Sequence, residues 1–369
     1  MISVNDLLLE QSISHQIDLA HYSNATVAKM VAALNRSDAR LFADLVMALQ
    51  DLDAGSFTVE RLESLLGSVR ALNAVAYAEV GKELRQELLD FVQYEASYQA
   101  QAMASVLPVQ VHVASVSAES VYAAAMARPF QGVLLNGVLG DIEASRAKKI
   151  RTAIAQGFTE GKTQDQIIRE LRGTRAKGYA DGLMEAPRRE VATITRTAMG
   201  HMAGFVQDRF GDANGDIIKA INWSATIDLH TSPICRARDG KLYEPGSHKP
   251  IGDKLPWLGG SGRAHWCCRS AQTFVTKSFA ELGIEGIPEF GIGSTRASMD
   301  GQVPKDTTYA DWIMRQSAGR QDQVLGTTRA KLLRDGDLKM ADLYDNKGIY
   351  LSLAQLRERD AAAFKRAGL

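Results

Sequence analysis

The chain of 369 residues carries no net charge at neutral pH, because forty-three basic side chains face forty-three acidic ones. No global field would therefore steer it to nucleic acid. It has only three cysteines, an odd and small count that excludes a disulfide framework. Nine prolines and 31 glycines are too few for a collagen-like or low-complexity chain, and hydrophobic residues, at 45%, are too many for a disordered one. No run of about 18 apolar residues occurs, so no transmembrane helix and no membrane anchor are expected. The first twenty positions include Asp6, Glu10 and Asp18 in place of a basic start and an apolar centre, which does not suit a secretory signal. What is left is a globular protein whose length suits two or three domains at about 150 residues each.

Charge is unevenly spread along the chain. Residues 1–140 carry a net −7, residues 141–275 a net +6 and residues 276–369 a net +1. Within the basic third, residues 146–189 hold eleven basic and five acidic side chains, with Arg146, Lys148, Lys149 and Arg151 close together. Such runs are most often solvated helix faces, and phosphate contact is the sharper alternative.

The first 135 or so residues read as nearly all helix. Leu34, Leu41, Leu45, Leu49 and Leu52 follow helical spacing, as do Leu62, Leu65, Leu66, Val69 and Leu72, and then Leu84, Leu88, Phe91 and Val92. Pro108, Val109, Val111 and Val113 predict an extended connector before a short helix at 118–127. Thr163 and Gln166 form a capping box ahead of Ile167, Ile168 and Leu171, and Gly173 ends that helix. Pro187 suits the first turn of a longer helix reaching Gly211. Ile217, Ile218, Ala220, Ile221 and Trp223 then read as strand, followed by a long loop from Gly240 to Ala264. Asp239 and Gly240 suit a tight turn between two short strands. Ser352 and Gln355 form another capping box, with Leu351 and Leu356 placed for a hydrophobic staple.

The chemistry-bearing residues concentrate between Trp223 and Ser270: Asp228, His230, Thr231, Cys235 and Asp239, then His265, Cys267, Cys268 and Arg269. Two clusters of soft ligands flank the loop, and zinc prefers thiolate and imidazole in a tetrahedron. Cys235, His265 and Cys268 are the candidate ligands for a structural zinc, with Asp228, His230 or Cys267 left to complete the set. Arg238, three residues after Cys235, would oppose a metal. Two other readings stay open, a Cys235–Cys268 contact as thiols or a bridge and plain buried small residues. His230, Asp228 and Cys235 match a catalytic triad only in inventory. His248 sits in a loop that reads as solvent-facing, and His15, His21 and His112 have no partner visible in the sequence.

The ordered series TRTAMGH at 195–201, INWSATIDLHTSPICRARDGKLY at 221–243 and RAHWCCRS at 263–270 resembles the phage head morphogenesis domain of Mu F-like minor head proteins. The family pattern falls on Trp223, Asp228, Thr231, Cys235, Asp239, Gly240, His265, Cys268 and Arg269. Arg238 stands where many members carry a second cysteine, and Cys267 is an added thiol. The segments 308–316, 321–333 and 348–359 look like a tail carried by some of these proteins. The resemblance implies a structural, non-enzymatic minor head protein of the virion. Its implied site is the portal vertex, with portal or head proteins as partners, an oligomeric state there, and roles in head assembly and in DNA packaging or ejection. Association with double-stranded DNA without sequence specificity would fall on Arg146, Lys148, Lys149 and Arg151. A zinc-dependent hydrolase or nuclease built on His265 and Cys268 is the alternative, with metal-activated water as its nucleophile.

The expected fold class is α+β. Residues 1–140 form a helical arm or bundle, 141–275 a head-morphogenesis domain with helices followed by a small antiparallel sheet and a long loop, and 276–369 a linker with a helical tail.

Overall fold

A computed structural model describes residues 3–50, 59–107, 111–286 and 295–369. In chain order these form α1 (Val4–Gln50), α2 (Val59–Val106), α3 (Ala118–Met126), α4 (Leu135–Thr159), α5 (Gln164–Arg172) and α6 (Glu185–Ala213). There follow β1 (Ile218–Ser224), α7 (Pro233–Arg238), β2 (Leu242–Tyr243), β3 (Pro250–Ile251) and β4 (Ala271–Thr276). A hairpin of β5 (Thr295–Ser298) and β6 (Gly301–Pro304) precedes α8 (Tyr309–Met314), α9 (Ala318–Leu325), α10 (Thr327–Asp335), α11 (Leu353–Arg359) and α12 (Ala361–Arg366). The fold class is α+β, as the sequence indicated. The chain divides into two compact units, one of residues 20–91 and 122–199 and the other of residues 1–19, 92–121 and 200–369.

The first of these units is helical. Leu41 and Leu45 of α1, Leu65, Leu66 and Val69 of α2, Ile150 and Ile154 of α4 and Ile167 and Leu171 of α5 share one buried core with Met184. The leucine spacing read from the sequence supplies much of it, while the Leu49 and Leu62 side chains and Leu52 lie outside the described residues. Thr163 caps α5 through a complete capping box with Gln166, and Gly173 follows its last turn at φ 87°. Arg146 is 2% exposed and pairs with Asp38, which also receives Arg188 at 3.2 Å. An arginine enclosed in that way is not presented to phosphate, which removes it from the candidate DNA-contacting set.

The other unit is built on an antiparallel sheet of order β3–β2–β1–β4. Its strand β1, paired on both sides, is buried over most of its length. Phe210 of α6 packs on Phe274 of β4 at 5.6 Å, and Leu8, Met103 and Val106 join the same core. Asn214, 1% exposed, stands in for a strand: its side chain accepts from the Ala114 amide at 2.8 Å and donates to the Ala114 carbonyl at 3.0 Å. That fixes residues 111–117 as irregular chain, whereas Pro108 and Val109 lie outside the described residues. His15 has a partner after all, Glu95, at 2.6 Å, and Gln99 and Gln207 also donate to that buried carboxylate.

Residues 307–369 close around a second core of Tyr309, Trp312, Ile313, Leu325, Leu332, Leu343, Leu356 and Phe364, into which Ile227 also inserts. The Ser352 capping box is complete, and Leu351 and Leu356 both meet this core. Two elements were not anticipated, the β5–β6 hairpin and the helix α7 inside what read as strand and loop. As a result, Asp239 and Gly240 turn the chain from α7 into β2 rather than joining two strands.

Candidate functional site

The ordered motif becomes a knot through three elements. Strand β1 delivers Trp223, which is fully buried, crosses Trp257 edge-on at 5.6 Å and lies under the Arg238 guanidinium. The loop after β1 carries Asp228, whose carboxylate accepts from the His230 amide at 2.9 Å and from the Thr231 hydroxyl at 3.0 Å. The single Thr231 hydroxyl proton is shared between that carboxylate and the Thr226 carbonyl. From the chain entering β4, Arg269 reaches back and grips Asp228 at 2.6 and 3.0 Å, a two-pronged pairing that suits a planar guanidinium. Burial alone would raise the Asp228 carboxyl, but the bonds from Arg269, Thr231 and His230 bring it below its ordinary value.

Ser232 and Pro233 start α7, and the Ser232 hydroxyl accepts from the Cys235 amide at 3.3 Å. This places the Cys235 sulfur 3.6 Å from that of Cys268 and 3.3 Å from Nε2 of His265. Nδ1 of His265 lies 2.9 Å from the Trp266 carbonyl, which can only accept, so that nitrogen carries the proton and Nε2 faces the sulfurs. The Ser232 hydroxyl is 2.8 Å from the same Nε2. Both thiols are buried, while His265 and Ser232 are partly exposed. Cys268 is the more acidic thiol, lowered by hydrogen bonding with Cys235 and His265, whereas Cys235 is raised by that shared bond and by burial. Hydrogen bonding to Cys268 raises His265.

Of the candidate ligands, the structure brings together Cys235, His265 and Cys268, whose ligand atoms lie within 4.8 Å of one another. Asp228, His230 and Cys267 are not part of that cluster, so none of them completes it. Arg238 is fully buried, and its guanidinium donates to the carbonyls of Ile234, Pro256 and Lys347 at 3.0, 2.9 and 2.6 Å. It is a brace for three chain segments. His248 is likewise not free in solvent: it stacks on Trp257 at 4.8 Å with nearly parallel rings and lies 3.6 Å from Asp208.

Asp239 is buried, and every bond it makes is internal. It accepts from the amides of Ala225 at 2.8 Å and Tyr309 at 2.6 Å, and pairs with Arg296 through both oxygens at 3.0 and 3.1 Å. The terminal nitrogens of Arg296 also reach the Ser224 hydroxyl and the carbonyls of Ala225 and Thr307. Gly240 beside it has φ +77°, a conformation that favours glycine. Arg296 was not visible as a functional residue in the sequence, since no local motif ties it to a carboxylate 57 residues earlier. The TRTAMGH motif is explained at Gly200: a Cβ there would lie 2.8 Å from the Gly262 carbonyl, so the loop and α6 approach backbone to backbone.

A cavity of about 470 Å³ lies beside Asp239, Lys241, Asp253, Tyr344 and Arg359, and the cysteine–histidine cluster is not among its lining residues. The described residues contain no helix long and apolar enough to cross a membrane. Lys148 and Lys149 are exposed on α4, and Arg151, 51% exposed, pairs with Glu63.

No curated protein and no solved structure matches the chain. Residues 148–273, about a third of the chain, are similar to the family of phage Mu protein F like proteins, and they include each of the nine positions from Trp223 to Arg269 that carry the resemblance.

Proposed function

We propose that the protein is a structural minor head protein of a tailed bacteriophage, a component of the virion that docks at the portal vertex and acts in head assembly. The observation that carries this reading is where the motif residues direct their polar groups. Asp228 is taken by Arg269, Asp239 by Arg296 and two amides, and Arg238 by three carbonyls. Groups so committed hold chain segments together and leave little to act on a substrate. A scaffold that must keep its shape while docking to portal or head proteins calls for that kind of interior.

The test removes the gene product from an infection and supplies it in trans as wild type or as Asp228→Ala. Wild type should restore filled heads, and the folded variant should restore fewer while portal protein recovered from the particles loses the chain. Normal particles without the chain would overturn the proposal.

A second role, contact with double-stranded DNA without reading its sequence, is favoured by Lys148 and Lys149, which are exposed on one helix. That role would serve packaging or ejection. Arg146 plays no part in it, because its guanidinium is enclosed with Asp38.

A further inference from the structure

We infer that Cys235, His265 and Cys268 bind one zinc-type ion, with the fourth coordination position open to water on the Ser232 side. The argument begins with distance. Zinc holds thiolate sulfur at about 2.3 Å and imidazole nitrogen at about 2.0–2.1 Å, so a tetrahedron would separate two sulfurs by about 3.8 Å and sulfur from nitrogen by about 3.6 Å. The observed separations are 3.6 Å between the sulfurs and 3.3 Å from the Cys235 sulfur to Nε2. Two edges of one coordination polyhedron are thus close to their expected lengths, and all three ligand atoms, from two chain segments thirty residues apart, lie within 4.8 Å of one another.

The second argument is tautomeric. A histidine ligand keeps its metal-facing nitrogen free by donating through the other, commonly to a backbone carbonyl. Nδ1 of His265 meets the Trp266 carbonyl in that way, leaving Nε2 turned to the sulfurs.

The third argument is charge. Two thiolates and a divalent cation sum to zero, so the filled centre would sit in a buried place without an uncompensated charge, which is the costly case. Arg269 is engaged by Asp228, and Arg238 is directed at three carbonyls, so neither guanidinium is the counter-ion for the thiolates.

Among the described residues the cluster has three ligands. Three residues further along α7, Arg238 bonds to backbone carbonyls and has no lone pair to offer a metal. Ser232 and His265 are the partly exposed members, so water reaches the centre from their side. The Ser232 hydroxyl, 2.8 Å from Nε2, is placed to hold that water. An ion here would tie the loop ahead of β4 to helix α7.

The full-length chain, purified with reduced thiols in zinc-containing buffer, tests this by elemental analysis. One equivalent of zinc per chain is expected, and replacement by cobalt should give an intense near-ultraviolet thiolate band with visible bands of tetrahedral type. His265→Ala and Cys268→Ser should lose the ion, while Cys267→Ser and Ser232→Ala should keep it. Circular dichroism establishes that each variant is folded. If Cys268→Ser does not fold, the partly exposed His265→Ala and the cobalt spectrum of the unaltered chain still decide. A folded wild-type chain with free thiols and no bound metal would overturn the assignment, as would a Cys235–Cys268 disulfide in protein taken from particles. Loss of zinc from Ser232→Ala, or cobalt bands that do not move when imidazole is added, would overturn the open position.

Discussion

Asp239 and Arg296 show how one charged pair can govern a large part of the molecule. The carboxylate is fully enclosed, and both partners are satisfied by further bonds to backbone. Removing one member of such a pair costs about 3–5 kcal/mol, because the other is left charged in a dry place. Arg296→Met should therefore lower the free energy of unfolding by about that amount in a urea titration, whereas Arg320→Met, at a half-exposed pair with Asp300, should change it by less than about 1 kcal/mol. Asp228 provides the pH-dependent counterpart. Its folded value lies below the ordinary carboxylate value, so its contribution is fully present above that ordinary value and is lost as pH falls through the folded one. The stability of the wild type should fall on acidification through this range. Arg269→Gln should reduce stability at neutral pH and make the acid limb shallower, measured by denaturant melts at a series of pH values.

At the scale of elements, α7 and the α6 contact rest on single small residues. Ser232→Ala removes the hydroxyl that caps α7 and should cost about 1 kcal/mol in thermal or chemical melts. Gly200→Val pushes a side chain into the Gly262 carbonyl and should cost about 1–3 kcal/mol, because the approach there is backbone on both sides and neither can swing aside. Much of this scale was legible in the sequence. The Thr163 and Ser352 capping boxes, the leucine stripes and the strand from Ile218 to Trp223 depend on local spacing, and local spacing is what a sequence displays. Helix α7 was missed although Ser232 and Pro233 are an ordinary start signal, because six residues leave no periodicity to confirm it. The hairpin β5–β6 has short strands with little apolar alternation, and it is held by Arg296, whose partner is distant in the chain. The cysteine–histidine cluster was legible because both halves are dense in ligand residues. His15–Glu95 was not, since eighty residues separate two side chains that each sit in an unremarkable helix.

For the molecule as a whole, recognition and folding run on different boundaries. The match to phage Mu protein F like proteins covers residues 148–273, whereas Asp239, inside it, depends on Arg296 and the Tyr309 amide, outside it. If DNA binding occurs, charge reversal at Lys148 and Lys149 should weaken attachment to duplexes of any sequence. The logarithmic salt dependence should become shallower by about one unit of slope for each phosphate no longer neutralised. Arg146→Glu should unfold the helical unit and so cannot serve as the test. Filter binding at a series of salt concentrations reads the difference. Binding that ignores the two lysines would remove that role and leave the head-assembly reading untouched.

The insertion of Ile227 among Tyr309, Trp312 and their neighbours, together with the Met299 amide bonded to the Ile227 carbonyl at 2.9 Å, has a practical result. A fragment trimmed at residue 273 would leave that isoleucine wetted and Asp239 bereft of its guanidinium. It should be sticky and easily digested by protease, so the smallest soluble piece retaining the knot must run on through the last helix.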